Sequence, residues 1–181
     1  MGDQKHANEG DTMKKIDLKN LTVHPTGVWL DTWMLLCAGT LESHNAMTVS
    51  WGSIGGMWNK PFVQVVVRPS RYTYEFIEQF DTFTVSSFPE QYKAALGVLG
   101  SQSGRDGNKI ARFGLTPCPS LAVAAPSFKE ACLTFECRKM YYQDFEPAHF
   151  LQHDIHDLYP GNTNHHRAYF GEIMAVTTAD A

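Results

Sequence analysis

This sequence predicts an antiparallel β-barrel with a few helices packed on its outside. Three observations carry the prediction. Short β-branched and aromatic runs separated by turn residues fill most of the chain. Only two or three segments show helical periodicity. The regular strand–helix alternation of a doubly wound sheet is missing. With 181 residues, 43% hydrophobic and 19% charged, the chain can build one core but hardly two. The polar start, residues 1–15, reads as a flexible lead-in, followed by a single domain over 16–181.

The elements follow in order. Residues 28–38 are rich in aromatic and β-branched side chains and read as a strand, with a turn over 39–45. A partner strand is expected at 46–54, and the glycines of 55–61 break the chain again. Residues 62–68 form the next strand and 73–79 a short helix that turns Phe76, Ile77 and Phe80 inward. Residues 83–88 alternate as a strand. Pro89 and Gly100 bracket a helix over 90–99, in the usual proline-first, glycine-last arrangement. A glycine- and serine-rich loop spans 100–108 and one further turn 109–113. Strands at 131–142 and 168–177 complete the set of six.

Bulk properties narrow the function. A net charge of −4 offers no general field for nucleic acid or anionic lipid. No apolar run approaches the roughly 20 residues of a membrane span. The segment MGDQKHANEGDTMKK lacks the apolar stretch of a signal peptide, so a cytoplasmic location is expected. The four cysteines have no metal-ligand spacing. Cys132 and Cys137, five apart on one strand, would face opposite sides. All four, Cys37 and Cys118 included, read as buried, inert, reduced thiols.

Three clusters could carry chemistry. In the first, VQVVVRPSRYTYEFIEQF (63–80), a strand ends at Pro69 and runs into a helix start crowded with Arg68, Ser70, Arg71 and Thr73. Unpaired N–H groups and the positive dipole end make such a junction an anion site. An ordinary N-cap explains it equally well when it is taken alone. The second cluster, Ser103, Gly104, Arg105 and Lys109, supplies backbone N–H groups and two cations in a loop that matches neither a P-loop nor G-x-G-x-x-G. Two phosphate-suited clusters in one small acidic domain favour an anion site over two coincidences. In the third, Thr48, Ser50 and Gly52 would share one strand face and Val49, Trp51 and Ser53 the other. The hydroxyl face suits the edge of a heteroaromatic ring, or simply faces water.

Taken in order, N-x-M-T-V-S-W-G-S (45–53), V-R-P-S-R-Y-T (67–73), S-G-R-D-G-x-K (103–109) and H-R-A-Y-F-G-E-I (166–173) resemble the flavin reductase-like family of FMN-binding split barrels, most of all its flavoredoxin branch. The likeness runs from about residue 21 to 178. It implies a six-stranded antiparallel Greek-key split barrel, all-β with flanking helices, that holds FMN non-covalently near the interface of a homodimer. On that resemblance Thr48, Ser50, Trp51, Gly52 and Ser53 lie along the isoalloxazine and upper ribityl. Arg68, Ser70 and Thr73 hold the phosphate, and Ser103, Gly104, Arg105 and Lys109 close its side. His166, with His165 as the alternative, faces the nicotinamide. Asn164-His165-His166 replaces the Gly-Asp-His of many flavin reductases.

Other schemes read less well. His149, His153 and His156 share one face if 147–158 is helical, but H-E-x-x-H is absent, so a solvated face is preferred and no metal is predicted. No G-x-S-x-G elbow is present, and strand residues Glu136 and Glu172 read as water-facing. The expected function is therefore hydride transfer from NADH or NADPH to flavin N5, then to an acceptor. An FMN electron carrier reduced by a redox partner protein is the main alternative, and a split barrel for pyridoxal phosphate or haem a third.

Overall fold

The structure is a computed structural model and describes residues 13–179. Ten strands and five α-helices follow in chain order: β1 (Lys14–Ile16), α1 (Gly27–Leu30), β2 (Met34–Gly39), β3 (His44–Val49), β4 (Gly52–Met57), β5 (Lys60–Val67), α2 (Tyr72–Gln79), β6 (Thr82–Ser87), α3 (Lys93–Ser101), α4 (Lys109–Arg112), β7 (Pro117–Cys118), β8 (Ser127–Phe128), β9 (Leu133–Asp144), α5 (His153–His156) and β10 (Arg167–Thr178). Of the expected lead-in, residues 1–12 lie outside the described residues, and Lys14 and Lys15 belong to β1.

The main sheet has eight strands where six were expected. Its order is β3-β2-β6-β9-β10-β5-β4, with β1 added on β10. The long β10 makes this possible, pairing β9 along its length, β5 through Arg167–Glu172 and β1 through Val176–Thr178. Strands β3 and β4 are the two ends of the sheet. They are consecutive in sequence, joined by Ser50 and Trp51, yet not hydrogen-bonded to one another. The barrel is open at that point.

The two additional strands have clear causes. β1 hides in a stretch whose lysines face outward. β3 and β4 were read as one strand because Thr48 to Ser53 keeps a strand-like composition through the bend. The glycines at 55 and 56 belong to β4 rather than breaking it. The turn itself is only Trp58 and Asn59, both left-handed at φ 53° and 58°. That is the conformation a two-residue hairpin requires.

Two cores flank the sheet. Met34, Leu36, Val63, Val65, Val67, Phe83, Val85, Phe135 and Tyr169 fill the inside. Leu35, Cys37 and Ala46 pack outside, against Leu96 and Leu99 of α3, Ile110 of α4 and Phe128. β2 is thus buried on both faces, which accounts for its unbroken apolar run. Further upstream, residues 27–30 form α1, not strand. The helix expected over 90–99 begins as a 3-10 turn at Glu90–Tyr92 and continues in α3 to Ser101, past Gly100.

Two other expectations are corrected. Cys37 and Cys137 are buried, and burial pushes both thiols well above their ordinary range, but Cys132 is exposed and Cys118 half-buried. Cys132 precedes β9 and escapes its packing. Glu136 does not face water. It is fully buried, and its carboxylate accepts the backbone N–H groups of Leu121 and Ala122 at 2.9 and 2.6 Å, tying the 120s loop to β9. Glu172 pairs with Lys60 and Arg138 at 2.8 and 3.0 Å.

Candidate functional site

The junction between β5 and α2 meets the loop after α3 in a small cleft of about 70 Å³. That is room for one phosphoryl group or two or three waters. Its walls include Ser70, Arg71, Thr73, Ser103, Gly104 and Lys109 and hold no carboxylate. The residue capping α2 is Arg71, in extended conformation and with no side-chain hydrogen bond to the helix start. Neither nearby hydroxyl is used as a cap. Thr73 Oγ1 accepts from Asn45 Nδ2 at 2.6 Å, and Ser70 Oγ from Asn164 Nδ2 at 2.8 Å. The ordinary N-cap explanation therefore fails at this junction, and the first-turn amides keep their pull on an anion.

Two cations meet there without compensation. Lys109 is buried and donates from Nζ to the carbonyls of Leu99 and Gln102 at 2.8 and 2.9 Å, which leaves its third N–H unused. Burial, reinforced by the neighbouring Arg71 guanidinium, pulls its ammonium down to about 8. Arg71 donates to the Gly100 carbonyl, and burial together with Arg68 lowers its pKa as well. Such a pair gains from a ligand carrying negative charge.

A second cavity of about 220 Å³ lies alongside, sharing Met47 with the cleft. Thr48, Val49, Ser50 and Trp51 form one wall, and Val66, Arg68 and His166 the other. The open edge of the barrel explains how four consecutive residues can line it. Where the chain leaves β3 for β4, strand alternation lapses and one edge of each end strand stays unpaired. Trp51 and His166 face each other with ring centroids 5.1 Å apart.

His166 itself is held by Tyr159, whose hydroxyl lies 2.7 Å from Nδ1. Burial first, then Arg68, His165 and Arg71, bring its pKa down to about 4, so the imidazole is neutral around pH 7. Burial raises the Tyr159 phenol. Arg68 lies over the Tyr159 ring at 5.0 Å and donates to the Leu158 carbonyl at 2.8 Å.

A model of the flavin reductase like domain matches residues 30–181. The chain belongs to that family. An uncharacterized protein of Archaeoglobus fulgidus is 27% identical over 146 residues, covering 81% of this chain and 72% of that one. The flavoredoxin of Desulfovibrio vulgaris (Miyazaki F) superposes with a TM-score of 0.63 at 26% identity over 91% of this chain and 76% of its own. An FMN-binding domain of a flavin reductases-like enzyme from Shewanella baltica OS155 gives a TM-score of 0.67, at 19% identity over 93% and 78% of the two chains. At that identity it establishes the fold alone.

Within this flavin reductase-like chain, the cleft brings together Ser70, Thr73, Ser103, Gly104 and Lys109, as the sequence led one to expect. Thr48, Ser50 and Trp51 share the larger cavity with His166. Four residues stand elsewhere. Arg68 lines the larger cavity instead of the cleft. Arg105 is ion-paired to Glu75 and lies 4.8 Å over the Tyr72 ring, outside the cleft lining. Ser53 hydrogen-bonds Gln64 at 2.9 Å, and Gly52 packs on the Trp29 ring. Neither lines either cavity.

Asn45 and Gln102 line the cleft without having been singled out as ligand residues, although Asn45 opened the first motif; Arg71, one of the two guanidiniums of the predicted anion junction, lines it as well. Tyr159, in a connection of irregular structure, gave no signal. The three spaced histidines are not on one helix: His149 ends a 3-10 turn, and only His153 and His156 belong to α5. No group of metal-ligating side chains comes together among the described residues.

Proposed function

We propose that this chain binds FMN non-covalently and works as a flavin reductase-type oxidoreductase using NADH or NADPH. The observation that carries the reading is the contiguity of a carboxylate-free cationic cleft with a larger cavity walled by hydroxyls, an indole and a neutral imidazole. In this reading Ser70, Arg71, Thr73, Ser103 and Lys109 hold the phosphate, and Gly104 lets the loop backbone approach it. Thr48, Ser50 and Trp51, largely through their backbone, lie along the isoalloxazine. When bound, the flavin supplies the hydride-accepting centre and passes electrons onward.

The chain's own part is position and electrostatics. Trp51 and His166 wall the cavity, and the neutral state of His166 keeps a competing positive charge off the nicotinamide side. Hydrogen bonds from the Thr48–Trp51 segment stabilise negative charge developing near them. The donor carbon and the accepting atom need a separation of about 3–3.5 Å, and no side chain need act as acid or base.

A second copy of the chain is part of this proposal. Trp58 and Tyr141 are 55% and 44% exposed, and with Phe170 they form an aromatic patch on the outer sheet face. Such a patch is costly to leave in water. Size-exclusion chromatography with light scattering checks it: a dimer is expected, and a strict monomer contradicts it.

A carrier role, with a partner protein as reductant, is the second reading. It is favoured by the likeness to a flavoredoxin at 26% identity and by the 39% exposure of Trp51 at the cavity mouth. Anaerobic mixing with NADH or NADPH separates the two. Prompt bleaching is expected of the reductase, and persistent yellow colour supports the carrier.

A further inference from the structure

Asn164 stands in a left-handed backbone conformation, φ 57°, just ahead of β10 and clasps Ser70 with both ends of its carboxamide. The Ser70 N–H donates to Oδ1 at 3.1 Å, and Nδ2 donates to Ser70 Oγ at 2.8 Å. A backbone N–H can only donate, so the first bond fixes which end of the amide is oxygen. The other end is then NH2, which makes Ser70 Oγ an acceptor toward Asn164. The Ser70 hydroxyl proton is left for something else, and Ser70 lines the cleft.

A second asparagine–hydroxyl contact lies deeper down, made by the amide nitrogen alone. Asn45 Nδ2 donates to Thr73 Oγ1 at 2.6 Å, both residues being buried in the cleft wall. The Asn45 oxygen lies against Gly104, where a Cβ would overlap it. Two asparagines thus each donate to a hydroxyl in a cleft whose two charged side chains, Lys109 and Arg71, can only donate.

We infer that Asn164 and Asn45 are positioning residues that turn the hydroxyls of Ser70 and Thr73 into donors aimed into the cleft, toward the oxygens of a phosphate monoester. The inference rests on the reading that the cleft takes the phosphate of FMN, and it names what orients two of the donors that meet it.

The test uses apoprotein titrated with FMN and with riboflavin, followed by flavin fluorescence, in the wild type, Asn164→Asp, Ser70→Ala and the double variant. Aspartate tolerates the left-handed conformation and still accepts the Ser70 N–H, but it takes the Ser70 proton for itself. FMN binding should weaken about tenfold or more in Asn164→Asp, with riboflavin unchanged to within about twofold. Adding the aspartate to Ser70→Ala should cost little further. Asn45→Asp gives an independent reading at Thr73, with the same pattern expected.

Unchanged FMN binding in Asn164→Asp overturns the inference. So does equal weakening of FMN and riboflavin, the mark of a merely structural role, and so does an equal loss in the Ser70→Ala background, the mark of bare charge repulsion. A wild type that binds FMN and riboflavin equally removes the phosphate reading itself, which is a distinct result.

Discussion

Lys109 and Arg71 stand against one cleft, the guanidinium loosening the ammonium's hold on its proton, with no carboxylate among the residues that line the space between them. A buried ammonium beside a half-buried guanidinium is a standing cost to the fold unless something negative joins them.

Lys109→Ala should therefore weaken FMN far more than riboflavin, which lacks the phosphate. The loss expected for one charge-assisted bond is on the order of 1.5–3 kcal/mol. Paired titrations of the two flavins measure it, and equal weakening would show that Lys109 does not meet the phosphate.

The same lysine gives FMN binding a pH dependence. In the ligand-free chain its ammonium titrates at about 8 rather than 10.5. Above pH 8 the apoprotein loses the charge, so FMN affinity should fall as pH rises through 8 while riboflavin affinity stays level. Stability of the apoprotein moves the other way. Between about pH 8 and 10.5 the unfolded chain binds more protons at this site than the folded one, so that part of the stability rises with pH. Titrations and denaturant melts at pH 7, 8, 9 and 10 read both.

His166→Ala should leave the phosphate grip on FMN intact, because His166 does not line the cleft, and slow reduction by nicotinamide, because it lines the larger cavity. Its pKa of about 4, against an ordinary 6.5, means the unfolded chain takes up the proton first as the solution is acidified. The wild type should therefore lose stability as pH falls from 6.5 toward 4, and His166→Gln should lose less over that window. Stopped-flow reduction and thermal melts check the two halves. Unchanged reduction kinetics remove His166 from the active site.

Gly104→Ala tests the wall. A Cβ there would overlap Asn45 Oδ1 and press on the Tyr72 ring, both fixed parts of the cleft. Displacing Asn45 loosens Thr73 through their 2.6 Å hydrogen bond. FMN affinity should drop at least as far as in Thr73→Ala, with riboflavin little affected. A Gly104→Ala protein that binds FMN normally would mean that the loop backbone does not need its close approach.

Much of the cleft was legible because residue type and local structure agree there. Pro69 forces the strand to end, and the hydroxyls and cations next to it have few reasons to cluster other than an anion. Lys109 follows a glycine loop that only a tertiary contact can bring back to Ser70, and the packing of α3 on β3 makes that contact through Thr48 and Leu96. What stayed hidden depended on partners distant in sequence. Arg105 pairs with Glu75, 30 residues away, and donates to the Ser70 carbonyl at 3.4 Å, partners that nothing local reveals. Arg68 turned to Tyr159 and Leu158, about ninety residues on, for the same reason. Glu136 read as a surface residue since the loop amides that bury it lie 14 and 15 residues upstream. The bend at Ser50–Trp51 was invisible because strand composition persists across it, and recognising it requires knowing that the sheet ends there.

The proposal that this protein is a flavoprotein meets its most direct test in the cofactor. Apoprotein mixed with FMN and freed of excess should retain about one FMN per chain and release it intact on denaturation, as chromatography of the released pigment against FMN, FAD and riboflavin would show. A folded protein that retains no flavin, or retains riboflavin as well as FMN, contradicts the account.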